Sequence, residues 1–344
     1  MSGSNINSKR WQISKKELVS WLDGISEART LFAPKLDDGV TLYRSVKNCA
    51  EISWDEKGIC PTRPNMSAKE IFFPQTDQLF TINKSGQNVQ MDEVFPEWET
   101  VIFGIRPCDA HGIKILDAVF IDTNPEDVFY SRRRSNTTLI GFACSSFGPN
   151  CFCTSVGGAP DNSHDMDIMV YEDDGDYMVE AVTQKGRFLI PGGEWKVTDG
   201  NPKRSIPLEL IPILPKEQWS QRFDEEYWGR ISERCISCRA CTYVCPTCRC
   251  FIVRDEVISP GNFERVRCWD ACAGKNFRLM AGGHRSRAEK VERFRNRFFC
   301  KFLYFPEQYG LGSAAACTGC GRCIEVCPVG VDITEVLLDL EKLA

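Results

Sequence analysis

The stretch CISCRACTYVCPTCRC, Cys235 to Cys250, holds six thiols. Its first four, Cys235, Cys238, Cys241 and Cys245, follow C-x2-C-x2-C-x3-C, with Pro246 next. CTGCGRCIEVCP repeats the pattern as Cys317, Cys320, Cys323 and Cys327 before Pro328. Three cysteines so spaced let one loop wrap three corners of an iron–sulfur cube, its backbone N–H groups turned toward the sulfurs. The proline turns the chain, and the fourth thiolate serves the other motif's cluster. The expected ligand sets are Cys235, Cys238 and Cys241 with Cys327, and Cys317, Cys320 and Cys323 with Cys245, for two [4Fe-4S] clusters. Structural zinc commonly takes two separated C-x2-C pairs and has no use for a third cysteine at fixed spacing.

A second constellation is looser: Cys108, then Cys144, Cys151 and Cys153 in CSSFGPNCFC. Two short apolar runs, Val101–Ile105 and Leu139–Ala143, read as strands buried on both faces. Cys108 and Cys144 then fall just past strand carboxyl ends, where open α/β sheets place ligands. Gly148 and Pro149 bend the loop that brings Cys151 and Cys153 back. These four thiols are a candidate third cluster site; the alternative is four small buried hydrophobes. Cys248, Cys250, Cys268 and Cys272 belong to no set. A helix through CWDAC puts Cys268 and Cys272 on one face, as packing against the clusters, as another metal site or as the lining of a redox site. Cys49, Cys60 and Cys300 fit no pattern.

Of the 19 cysteines, six precede Cys235 and thirteen run from it onward, which divides the 344-residue chain. We expect an α/β domain over 1–215 and a mostly helical two-cluster ferredoxin domain over 216–344. Prolines 191, 202, 207, 212 and 215 suggest the linker. Ser14 and Glu17 form a capping-box pattern ahead of a helix carrying Leu18, Leu22 and Ile25. A hairpin is expected at 168–171 and 177–182 around Asp174-Gly175. The gap between Cys245 and Cys317 is too long for a compact ferredoxin of short strands, so helices are expected to separate the motifs. Its longest periodic segment, His284 to Tyr304, carries Val291, Phe294, Phe298 and Phe302 on one side. Arg285, Arg287, Lys290, Arg293, Arg295, Arg297 and Lys301 make it strongly basic, either a solvated face or a docking surface for an acidic partner.

Composition bounds the function. The net charge is −5, with a pI near 5.5 and a mean hydropathy of −0.28; nucleic acid is not an implied partner. The N-terminus has no apolar signal core and no apolar run is long enough for a membrane span, so a cytoplasmic protein is expected. Cytosolic thiols stay reduced, which favours metal ligation or redox chemistry over disulfides. His111, His164 and His284 have no metal-like spacing.

Together GIRPCDAHGI, NCFCTSVGG, CISCRACTYVCPTCRC, CWDACAGK and CTGCGRCIEVCP resemble a family of iron–sulfur electron-transfer subunits. It includes the A subunit of anaerobic sulfite reductase and the β subunit of soluble nickel–iron sulfhydrogenases. The resemblance covers nearly the whole chain. It implies a non-catalytic subunit passing electrons between a flavoprotein subunit, fed by NAD(P)H, and a catalytic reductase or hydrogenase subunit. It also supports a third [4Fe-4S] cluster on Cys108, Cys144, Cys151 and Cys153. One departure is Arg239, where the first motif often has glycine. No P-loop or full G-x-G-x-x-G occurs. GLGSAA, Gly310 to Ala315, runs into Cys317 with no room for the helix such a loop opens. The alternative function is a reductase in its own right, with a cluster-based substrate site.

Overall fold

The computed structural model describes residues 9–95, 99–193, 195–202, 210–311 and 315–343. Pro207, the first eight residues and the centre of GLGSAA lie outside them. The larger sheet comprises β1 (Lys9–Ile13), β2 (Thr30–Asp37), β3 (Val40–Val46), β6 (Thr100–Ile105), β7 (Thr137–Phe142), β8 (Ile168–Asp173), β9 (Asp176–Ala181) and β10 (Lys196–Thr198). The smaller comprises β4 (Thr76–Ser85), β5 (Asn88–Glu93), β11 (Phe251–Ser259) and β12 (Asn262–Trp269). The larger runs in the order β10-β1-β9-β8-β7-β6-β2-β3. Its centre, β2-β6-β7-β8, is parallel and its flanks antiparallel.

The expected strands at 101–105 and 139–143 are β6 and β7, and every residue of β7 is buried. Val101 and Phe103 face the core that holds helix Lys15–Ala28, while Ile102 and Ile105 face the one that holds helix Pro107–Phe120. That break in alternation comes from a register shift at Gly104, whose φ is +75°. A side chain there would press on Pro34 and Pro61. The bulge re-aims the end of β6, the strand that delivers Cys108. Ser14 and Glu17 cap helix Lys15–Ala28 reciprocally, as their spacing predicts. The hairpin turns at Asp174 and Gly175, both left-handed.

Four expectations change. The proline-rich segment is not simply a linker, because β10 pairs with β1 at the sheet edge. The gap between the cysteine motifs holds helices, but it begins with the β11–β12 hairpin, which pairs with β4. Cys268 lies on β12 and Cys272 in the following turn, so no helix aligns them. The basic helix starts at Lys290 rather than at His284, and a π-helical turn, Cys300–Tyr304, extends it. Its aromatic side joins Trp219 and Trp228 in the third core, with Trp219 stacked on Phe302 at 4.9 Å. No helix among the described residues is long and apolar enough to cross a membrane.

Candidate iron–sulfur sites

The two cysteine motifs share one backbone shape. Ser237 and Arg239 have φ of 56° and 70°; at the same places in the second motif Gly319 and Gly321 have 62° and 77°. Each loop then enters a short helix, Ala240–Tyr243 or Arg322–Glu325. Left-handed backbone favours glycine, and what surrounds each loop decides where glycine is required. A Cβ on Gly319 would fall 2.5 Å from the Phe152–Cys153 backbone, and one on Gly321 would fall on the Asn150 carbonyl. The first loop is open to solvent, with Ser237 and Arg239 partly or fully exposed, so side chains are tolerated there.

Cys235, Cys238, Cys241 and Cys327 line one cavity, with Arg293, Arg297 and Phe294 behind them. Cys327, from the far motif, lines this cavity beside the three thiols of the first. Cys235 accepts a hydrogen bond from the Ser237 N–H (3.4 Å) and Cys327 one from the Val331 N–H (3.2 Å). Cys245, Cys317, Cys320 and Cys323 form a second nest, each close enough to the others to interact electrostatically. Burial pushes the Cys317 thiol up to about 12. Cys245 goes the other way, well below the ordinary thiol range: a hydrogen bond from Cys248 lowers it, burial opposes, and Lys301 and Thr247 add to the lowering.

The basic helix is not simply a solvated face. Arg293, Arg297 and Lys301 are buried. Lys301 Nζ lies 3.1 Å from Cys245 Sγ, 2.8 Å from Thr247 Oγ1 and 3.7 Å from Cys248 Sγ. Burial opposes the charge on Arg297, but Cys241 and Cys323 hold it above the ordinary arginine range. Lys69 donates to the carbonyls of Cys248 (3.0 Å) and Tyr243 (3.4 Å). Burial lowers it to about 8.

The first-domain thiols also gather. Cys108, Cys144, Cys151 and Cys153 line a cavity of about 640 Å³ beyond the ends of β6 and β7. Cys60, which no sequence pattern marked, joins them, its Sγ 3.6 Å from Ser145 Oγ. Arg63 donates to Cys151 Sγ at 3.6 Å, and burial pushes Cys153 up to about 11. Cys320, from the second nest, lines the same cavity. Asp109, next to Cys108, forms a buried bidentate pair with Arg322, next to Cys323, at 2.5 and 2.8 Å.

No group of three or more His, Cys, Asp or Glu side chains among the described residues is set to hold a lone metal ion. The residues do fit an anionic, sulfur-rich group. Arg297 Nη2, Arg293 Nε and Thr318 Oγ1 are buried donors with no hydrogen-bond partner among the described residues. Both arginines line the first cavity, and Thr318 follows Cys317. Unpaired buried donors are costly, and the sulfurs of a bound cluster would give them acceptors. Of the remaining thiols, Cys49 is a core residue whose Sγ donates to the Val19 carbonyl at 3.5 Å. Cys300 lies 3.7 Å from Arg249 Nη1, and Cys250 lies beside Cys272.

Residues 234–331 match the 4Fe-4S dicluster domain family. Over 336 residues the chain is 31% identical to the sulfhydrogenase 2 subunit beta of Pyrococcus furiosus, covering 92% of this chain and 94% of that one. The chain belongs to the sulfhydrogenase β-subunit family. No solved structure matches it. As a member of that family it is an iron–sulfur subunit related to a hydrogenase component, and its dicluster domain implies two [4Fe-4S] clusters and electron transfer. Membership also implies partner subunits in a complex.

Proposed function

We propose that this chain relays electrons within a cytoplasmic complex, between a flavoprotein subunit fed by NAD(P)H and a catalytic reductase or hydrogenase subunit. It is not itself the catalyst. The first domain ends, in this reading, near residue 215 and the two-cluster domain follows. Cys235, Cys238, Cys241 and Cys327 hold one [4Fe-4S] cluster; Cys317, Cys320, Cys323 and Cys245 hold the second; Cys108, Cys144, Cys151 and Cys153 hold a third. These groups supply one-electron carriers; the chain's part is to space them, exclude water and compensate their charge.

The observation that carries the reading is continuity. Cys320 belongs to the second nest and lines the first-domain cavity. Arg297 interacts with Cys241 of the first nest and Cys323 of the second. Cys320 thus links the 640 Å³ cavity to the second nest, and Arg297 interacts with both the second nest and the first, whose Cys238 is exposed. The test is iron and sulfide per anaerobically purified chain, about 12 irons for three clusters and about 8 for two, at about four per cluster. The chain should be reduced by dithionite and stay inert with NAD(P)H alone. Direct NAD(P)H oxidation by the flavin-free chain would overturn the relay.

The room left in the first-domain cavity, with Arg63 and Arg106 on its wall, favours a second reading as a reductase with its own substrate site. Substrate-dependent changes in the EPR spectrum of the isolated chain would support it.

A further inference from the structure

The first nest opens on the surface. Cys238 is exposed, and beside it Ile236 and Val329 are 61% and 36% exposed, a small apolar centre around a candidate cluster ligand. The rim is basic. Arg239 and Lys290 line the same cavity. The Arg239 side chain packs along Gly274, which leads into the exposed Lys275. Acids sit among them: Glu233 lies 3.3 Å from Lys290, the helix-capping Glu289 precedes it and Glu292 follows it in the chain, and Asp270, largely buried, lies 3.9 Å from Arg239. In a chain of net charge −5, two exposed cations, Arg239 and Lys275, stand beside the one nest with a solvent-exposed thiol.

We propose that this face, centred on Ile236, Cys238 and Val329 and rimmed by Arg239, Lys275 and Lys290, is the docking port for a small acidic one-electron carrier protein. The proposal rests on the relay reading above and names where a mobile carrier meets it. Charge complementarity selects an acidic partner and steers its approach. The small apolar centre with a charged rim suits a transient electron-transfer encounter rather than a permanent subunit contact, which is larger and more apolar.

The test uses the anaerobically purified holoprotein, stopped-flow mixing and two reductants: a reduced acidic [2Fe-2S] ferredoxin, and methyl viologen radical, a small cation that needs no docking. The wild type should oxidise ferredoxin at a rate that falls steeply with added salt. The Lys275→Glu variant, changed outside the cluster cavity, should lose about tenfold or more of that rate at low ionic strength, in line with electrostatic steering. Its iron content and its rate with methyl viologen should be unchanged. Reversing charge at the distant, exposed Lys196 of β10 should leave both rates as in the wild type. The port is overturned if the wild-type rate ignores salt, if the Lys275 variant matches the wild type, if the Lys196 variant slows as much, or if concentration-dependent self-association covers the face. Clusters reduced by viologen but not by ferredoxin refute the port alone; clusters reduced by neither refute the port and the relay together.

Discussion

Lys301 donates to Cys245 across 3.1 Å, with both side chains shut away from water. A buried ammonium needs a counter-charge, and this one has a thiolate expected to ligate the second cluster. The Thr247 hydroxyl and the Cys248 sulfur complete its surroundings.

A cation beside a ligand sulfur favours the reduced, more negative cluster, so it raises the potential. Lys301→Met should therefore lower the midpoint of the second cluster and leave iron content intact. Two unit charges about 4 Å apart interact by about 4 kcal/mol at an effective dielectric near 20, which bounds the one-electron shift at about 170 mV. An EPR-monitored redox titration reads it. A midpoint equal to that of the wild type would show that Lys301 serves packing alone.

Cys245 and Cys248 are neighbours in the same buried pocket, yet only Cys245 has the motif position of a ligand. Cys245→Ser should cost the second cluster, about four irons, although Cys245 lies in the first motif. Cys248→Ser should keep all of them. Iron analysis with EPR separates the outcomes, and equal loss in both variants would refute the assignment.

The two motif loops make opposite demands on their left-handed residues. Gly321→Ala puts a methyl group on the Asn150 carbonyl and should cost about 1–3 kcal/mol, with loss of the second cluster. Arg239→Gly relieves a left-handed non-glycine backbone worth about 1–2 kcal/mol and should leave the first cluster in place. Thermal unfolding under anaerobic conditions, with iron analysis, checks both.

What was legible in the sequence follows the range of the interactions involved. The dicluster region was legible because a cluster loop is local, and cysteine spacing encodes it. Cys108 and Cys144 were legible through the strands that precede them. Cys60 was not, since it reaches the same cavity from a loop far away in the chain. The basic helix was misjudged on charge. Arg293, Arg297 and Lys301 recur every four residues beside Phe294, Phe298 and Phe302, so one broad face carries both stripes inward. That periodicity was the signal, but cations usually mark the solvated side. What reverses the rule is a set of thiols that only the folded chain assembles. The β11–β12 hairpin was missed because its exposed strand offers little alternation of burial.

Asp109 and Arg322 join the two halves of the proposed relay, and their pairing predicts an asymmetric mutational response. Both side chains are essentially sealed, at 0% and 1% exposure. Asp109 also accepts from the Tyr43 hydroxyl at 3.5 Å, and Arg322 Nε donates to the Pro64 carbonyl at 3.0 Å. Asp109→Asn leaves a buried guanidinium without its counter-charge and should destabilise the chain by about 3–5 kcal/mol. Replacing both partners removes the uncompensated charge as well as the attraction, so Asp109→Asn/Arg322→Met should recover part of that loss. Urea unfolding of the anaerobic protein measures the stability. Because each residue adjoins a candidate ligand, Cys108 or Cys323, EPR of the single variant should show disturbed signals from the second and third sites while the first, on the far side of Arg297, keeps its wild-type spectrum. Additive losses in the double variant would show that the pair is not coupled.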